Sequence, residues 1–315
     1  MLALFISFVS SAFYLQHEEK SFLSWMRSTN QFYTGDEYRL RFGIFLTNSR
    51  YVKEFNTGHK NFRLSLNKFA ACTPSEYKAY FGLRISRSKF FSVKSTLKTN
   101  TESLDWRDKG VVNEIKDQGE CQSNYAFSLI QAIESRDAIT TGTLRRFSEQ
   151  NIVDCSSMTF GCNGGNPAFA FQSVIDEQNG QLCFEKDYIY TGNFGGDCKF
   201  AECPHYGSFL TATMVEEGDE NDLAAKIEKY GPASVCVDAS SASFQLYTSG
   251  IYDEPSCSID NINHAVGCVG FGIEDGTKYW IVRNQWGTSW GEKGYIRMIW
   301  ENDQCGIAFF SFVIE

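Results

Sequence analysis

None of the apolar runs in this 315-residue chain approaches the roughly 20 residues that a membrane-spanning helix requires. A soluble protein with no membrane partner is therefore expected once any leader is removed. Internal repeats and low-complexity tracts are absent as well, which excludes solenoid arrays and disordered linkers as the main architecture. Histidine is scarce: His17, His59, His205 and His264 are the only candidates for imidazole chemistry. Cysteine and histidine nowhere stand at zinc spacing, so no metal and no cofactor is called for. Positive charge is in deficit, with 29 Lys and Arg against 38 Asp and Glu, which argues against nucleic acid as a partner.

What is present begins with a short apolar run, Leu2 to Val9, closing on Ser10, Ser11 and Ala12. It reads as a secretory signal over residues 1–13, an N-terminal strand or an unordered tail being the alternatives. Eleven cysteines, ten of them after residue 100, fit an oxidising compartment, secreted or lysosome-like, and their odd number leaves at least one thiol unpaired. Charge is uneven along the chain. Residues 14–98 hold 15 Lys and Arg against 6 Asp and Glu, and residues 99–315 hold 14 against 32. A basic front part facing an acidic remainder predicts an intramolecular cover docked on a larger domain.

Residues 14–82 read as a small helical domain. Phe22, Trp25 and Met26, then Tyr38, Phe42, Phe45, Val52 and Phe55, recur at helical spacing, and Glu37 and Arg41 can pair at i, i+4. Phe62, Leu64 and Leu66 alternate as in a strand, and Thr73, Pro74 and Glu76 form a helix-start signal. Residues 83–103 are basic, Ser/Thr-rich and aperiodic, as an exposed linker would be. From Leu104 to residue 315 the pattern is first helical, around Ala126, Phe127, Ile130 and Ile133, with Ser148 and Pro167 opening two further helices. One more helix, Asn221 to Tyr230, precedes strand-like runs at Ala233–Val237, Ala265–Ile273, Lys278–Arg283 and Tyr295–Ile299. The expected class is α+β: a helical lobe and an antiparallel β-barrel-like lobe with a cleft between them.

His264 opens one strand pattern, whereas His205 follows Pro204 in what reads as a loop. Asn284 could accept the imidazole N–H and set its tautomer, or could be no more than a turn residue ahead of Trp286 and Gly287. The segments LDWRDKG, DQGECQSNYAF, CNGGNP, NHAVGCVGFG and NQWGTSWGEKGY occur in this order. In them the chain resembles papain-like cysteine peptidase precursors of the cathepsin L type, across nearly its whole length. Glu37, Arg41, Phe45, Asn48, Val52 and Asn56 resemble that family's ERFNIN prosegment spacing, with Val52 where Ile is usual. The following Gly-x-Asn-x-Phe-x-Asp pattern is reduced to Ser65, Asn67, Phe69 and Ala71, which puts acid-triggered processing in question.

The resemblance implies that Gln118 donates to an oxyanion, His264 is general base and acid, Asn284 orients it, and Trp286 shields the pair. It implies a peptide groove floored by Gly164 and Gly165 and bounded near Asn166, Pro167, Cys236 and Ala265. It also implies disulfides Cys121–Cys162, Cys155–Cys198 and Cys257–Cys305. Cys183 and Cys203, which bracket Cys198, suggest a fourth bridge, and Cys236 and Cys268 read as buried small residues. The nucleophile's place, however, holds Asn124. A carboxamide has no ionised form near neutral pH and a delocalised nitrogen lone pair, so it cannot form an acyl-enzyme. Gln122, Tyr125 and Gln285 replace the family's Gly, Trp and Ser close by.

The reading is a monomeric, catalytically silent relative that binds a peptide or protein ligand and carries its own prosegment in cis. The alternatives are an active endopeptidase using Cys121 or Ser123, and an adhesion or structural protein using its acidic surface, for which no motif stands in the chain.

Overall fold

The computed structural model describes residues 16–58, 61–84 and 96–315, so the expected signal over residues 1–13 and the middle of the expected linker lie outside the described residues. Helix α1 covers 16–28 and is followed by α2, Gly35–Gly58. Phe22 lies under Phe45 at a ring separation of 5.1 Å, and Trp25 and Phe42 close the same aromatic cluster. The polar residues spaced along α2 tie it to the chain that follows. Asn48 Nδ2 donates to the Ala70 carbonyl (2.8 Å), and Asn56 both donates to the Leu64 carbonyl and accepts from its N–H. Arg41 pairs with Glu37 as expected, but its closer partner is Glu76.

Strand β1, Phe62–Leu64, is shorter than the alternation predicted, since Leu66 falls beyond it. Helix α3, Pro74–Lys78, starts with the full capping box: Thr73 accepts from the Glu76 N–H and Glu76 accepts from the Thr73 N–H. Strand β2, Leu104–Asp105, opens the large domain. Helix α4, Asn124–Thr141, α5, Glu149–Cys155, and α6, Pro167–Gln178, build the helical lobe, with Ser148 and Asn166 as N-caps. Strands β3, Leu182–Cys183, and β4, His205–Tyr206, form a small ribbon, so His205 sits in a short strand rather than a loop.

Strand β5, Ala212–Met214, helix α7, Glu220–Tyr230, β6, Ala233–Val237, α8, Ala242–Gln245, β7, Tyr247–Tyr252, β8, His264–Glu274, β9, Thr277–Arg283, β10, Tyr295–Ile299, and β11, Ser311–Ile314, complete the chain. Their sheet runs β1-β7-β10-β9-β8-β6-β11-β5, with β2 on β8. Among the described residues the expected barrel-like lobe is thus an open sheet whose end strands do not meet, and the β7–β10 pair is parallel rather than antiparallel.

Two packing features place the site. Helix α4 is buried on nearly every side. Two of its polar residues bond the sheet: Ser128 Oγ donates to the Val266 carbonyl (2.7 Å) and Gln131 Nε2 to the Ala233 carbonyl (3.0 Å). Gly267 of β8 lacks the Cβ that would strike the Gln131 side chain, which lets helix and sheet approach. The second feature is the docking of the N-terminal part. Strand β1 adds to the sheet beside β7, Phe62 facing Gly250, and the aromatic cluster of α1 and α2 runs without a break into the core of the β lobe. Among the described residues one ion pair, Lys68 with Asp117, crosses the same interface (2.7 Å). The charge contrast of the sequence has this one counterpart among the described residues, beside the backbone pairing and the aromatic burial.

Candidate functional site

The site lies where the first turn of α4 meets the start of β8. Gln118 and Asn124 come from the segment entering α4 and from its first residue, His264 is the first residue of β8, and Asn284 to Trp286 follow β9. All are buried. His264 Nε2 donates to Asn284 Oδ1 at 3.0 Å, an oxygen that also accepts from the Gln285 N–H. An amide oxygen only accepts, so the imidazole proton is on Nε2 and Nδ1 carries a lone pair. Nδ1 has no hydrogen-bond partner among the described atoms. Burial holds the imidazole neutral, with its pKa lowered to about 4, and the bond to Asn284 offsets this only in part. Trp286 packs against the ring, tilted by 30° with centroids 4.7 Å apart, and is itself fully buried.

Gln285 fills the space between these groups. Its Nε2 donates to Gln118 Oε1 (3.1 Å) and to the Ala265 carbonyl (3.0 Å), which uses both its protons. Its approach to His264 Nε2 (3.3 Å) is accordingly a contact between two donors. With its oxygen so engaged, Gln118 turns its Nε2 to the carbonyls of Cys121 (2.8 Å) and Tyr80 (3.3 Å). Asn124 Nδ2 points to the same Tyr80 carbonyl at 3.4 Å, and its Oδ1 is buried without a partner among the described residues. Sequence reasoning missed Tyr80, because nothing local marks a residue whose main-chain carbonyl, rather than its side chain, enters the site.

Neither alternative nucleophile faces His264 by its contacts. Cys121 is bonded to Cys162, and Ser123 Oγ bonds the Tyr190 hydroxyl at 2.8 Å. Tyr125 donates to the Gly161 carbonyl (3.1 Å) under the α4 start. Gln122 lies against Gly82, where any side chain would strike its carbonyl.

Residues 82–84 run alongside Gly164 and Gly165. Gly165 N–H donates to the Gly82 carbonyl (2.8 Å), the Arg84 N–H donates to the Gly165 carbonyl (2.9 Å), and the Leu83 N–H donates to the Asn263 carbonyl (3.2 Å). Gly164, at φ +97°, leaves room for the Gly82 carbonyl that a Cβ would displace. The Leu83 side chain packs into a cluster with Cys236, Ala265, Ile262 and Phe310. Asn166 and Pro167 start α6: the Asn166 side chain accepts from the Ala168 and Phe169 N–H groups, and Pro167 is its buried first residue. Disulfides Cys155–Cys198, Cys183–Cys203 and Cys257–Cys305 accompany Cys121–Cys162. Cys236 and Cys268 are free and buried, and Cys72 is free and half-buried. No group of three His, Cys, Asp or Glu among the described residues is placed to hold a metal ion, and no helix among them is long and apolar enough to cross a membrane.

Residues 100–313 match the family model of the papain family cysteine proteases, and residues 22–77 that of the cathepsin propeptide inhibitor domain. Cysteine proteinase 3 of Dictyostelium discoideum is 39% identical over 98% of this chain and 95% of its own length. Cathepsin L of Sarcophaga peregrina is 38% identical over 86% of this chain and 85% of its own. Among solved structures, the digestive procathepsin L 3 of Tenebrio molitor larval midgut superposes with a TM-score of 0.84, 31% identity and coverage of 94% and 98%. The proform of the ragweed pollen allergen Amb a 11 superposes with a TM-score of 0.87 at 31% identity, over 95% of this chain and 94% of its own. With its helical N-terminal segment folded in cis across this cleft, the chain belongs to the papain family of cysteine peptidases, in the cathepsin L-like precursor form.

Proposed function

We propose that this protein is a pseudoprotease: a papain-fold precursor, delivered to a secreted or lysosome-like compartment, whose cleft binds a peptide or protein segment without cutting it. Residues 1–13 act as signal, 14–82 as prosegment, 83–103 as the processing linker and 104–315 as a monomeric peptide-binding domain. The observation that carries this is Asn124 at the head of α4, beside Gln118 and sharing its carbonyl partner. In a peptidase of this build, a thiol there, at a helix N-terminus and beside an imidazole, would exist as thiolate. A carboxamide supplies neither the nucleophile nor the anion that would hold His264 protonated. The bonded Cys121 and the Tyr190-bound Ser123 argue against an unorthodox nucleophile.

The test is peptide hydrolysis and labelling by an electrophilic peptide probe, with the prosegment removed. The natural protein is expected to show neither. Asn124→Cys is expected to be labelled at residue 124, since the His264–Asn284 and Gln118–Gln285 bonds do not depend on the prosegment. Turnover by the natural protein, abolished by a thiol reagent, would overturn the proposal.

A further inference from the structure

We infer that Asn124 is a carbonyl-holding residue: its side-chain amide joins that of Gln118 on the main-chain carbonyl of Tyr80, so that this position fastens the chain's own prosegment in the cleft. The inference rests on the reading of the cleft as one that does not cut.

The Tyr80 carbonyl can only accept, so an amide facing it must present nitrogen, and both Gln118 and Asn124 do, at 3.3 and 3.4 Å. Both side chains are fully buried, where a weak polar contact lacks competition from water. Gln118 is held in this orientation because Gln285 occupies its oxygen. The three carboxamides thus form a relay from Gln285 through Gln118 to the carbonyl, with Asn124 closing it from the helix side. The positive end of α4, of which Asn124 is the first residue, adds to the attraction for a carbonyl oxygen.

Tyr80 is also the first of a series of main-chain anchors. The Gly82 carbonyl and the Leu83 and Arg84 N–H groups follow on Gly165 and Asn263, and the Phe81 ring lies 6.2 Å from His264. Releasing the carbonyl should therefore loosen residues 80–84 together. The chemistry that the pair of amides recognises is a neutral, uncleaved peptide carbonyl. No bond to carbon forms, and the His264 lone pair is not consumed.

The experiment is amide hydrogen exchange on the full-length protein, read at Leu83 and Arg84 with amides of α4 as the folding control. Asn124→Ala removes one weak donor and is expected to speed exchange at the two reporters about two- to tenfold, leaving α4 unchanged. Asn124→Asp presents a carboxylate to the carbonyl and is expected to speed it more at neutral pH. Acid should reverse that increase, because a protonated carboxyl can donate where a carboxylate cannot. A residue that merely filled space would show no such reversal. Reporters that exchange in both variants as in the natural protein, with no pH reversal in Asn124→Asp, overturn the inference and leave the absence of turnover untouched. Turnover by the natural protein would refute the pseudoprotease reading instead, whatever the exchange rates.

Discussion

His264 shows how an individual side chain takes its state from its neighbours. Two buried amides, Asn284 and Gln285, a Trp286 face and the Phe81 ring of the prosegment surround it, and among its contacts no carboxylate or thiolate compensates a positive charge. Burial lowers its pKa to about 4. Below the ordinary value near 6.5 the unfolded chain takes up a proton that the folded chain refuses, so this residue costs stability progressively from there down to about pH 4, where the cost levels off. Its imidazole signals in the full-length protein are expected to hold still from pH 8 to pH 5 in a nuclear magnetic resonance titration. A midpoint near 6.5 would mean that the ring is hydrated or ion-paired.

Among the elements, α2 and α3 are clamped together by the Arg41–Glu76 ion pair. The Arg41 guanidinium hydrogen-bonds Glu76, and with the Thr73 groups of the capping box this holds the Glu76 carboxyl at about 2, against the desolvation that raises it. A depressed carboxyl contributes stability that is fully present above its ordinary pKa and is lost progressively from there as the pH falls through about 2, while the folded protein keeps it ionised down to that pH. The clamp between α2 and α3 should therefore persist at pH 4. Hydrogen exchange in α3 is expected to be similar at pH 4 and pH 7, after correction for intrinsic rates, and faster at both in Glu76→Gln. Protection in the natural protein that collapses between pH 5 and 4 would contradict this. Ala71, which stands where the prosegment motif carries an acid, is fully buried, and its carbonyl accepts from Arg41.

At the scale of the whole molecule, prosegment and β lobe share one core. Phe69, Tyr77 and Tyr80 ring Trp286 at 5.2, 5.8 and 6.1 Å, and β1 extends the sheet at the edge of β7. Gly250 makes that edge available. It has φ +93°, and a Cβ there would meet the Asn61 carbonyl and lie 2.7 Å from the Phe62 Cα. Gly250→Ala combines a backbone penalty of about 1–3 kcal/mol with that clash. It is expected to release β1 to limited proteolysis while residues 104–315 resist. Equal resistance of the two parts would show that the sheet extension is dispensable for docking.

Much of this was legible beforehand, for local reasons. The Thr73, Pro74 and Glu76 start, the Ser148 cap and Pro167 opening, and strands β6 and β10 follow from rules that act within a few residues. Strands β7 and β11 escaped notice because Tyr247–Tyr252 and Ser311–Ile314 show no clear alternation, being held by neighbours distant in sequence. The sequence by itself determined that position 124 carries a carboxamide, that few imidazoles exist, and that five ordered segments resemble one family, since these are facts of composition and order. Only the tertiary structure decided which amide proton meets which carbonyl: that Gln285 turns Gln118, that Ser123 faces Tyr190, and that Tyr80 offers its backbone to Asn124. Hydrogen-bond partners 38 to 167 residues apart are chosen by packing, because burial removes water as a partner and leaves each polar group only what the fold brings within reach.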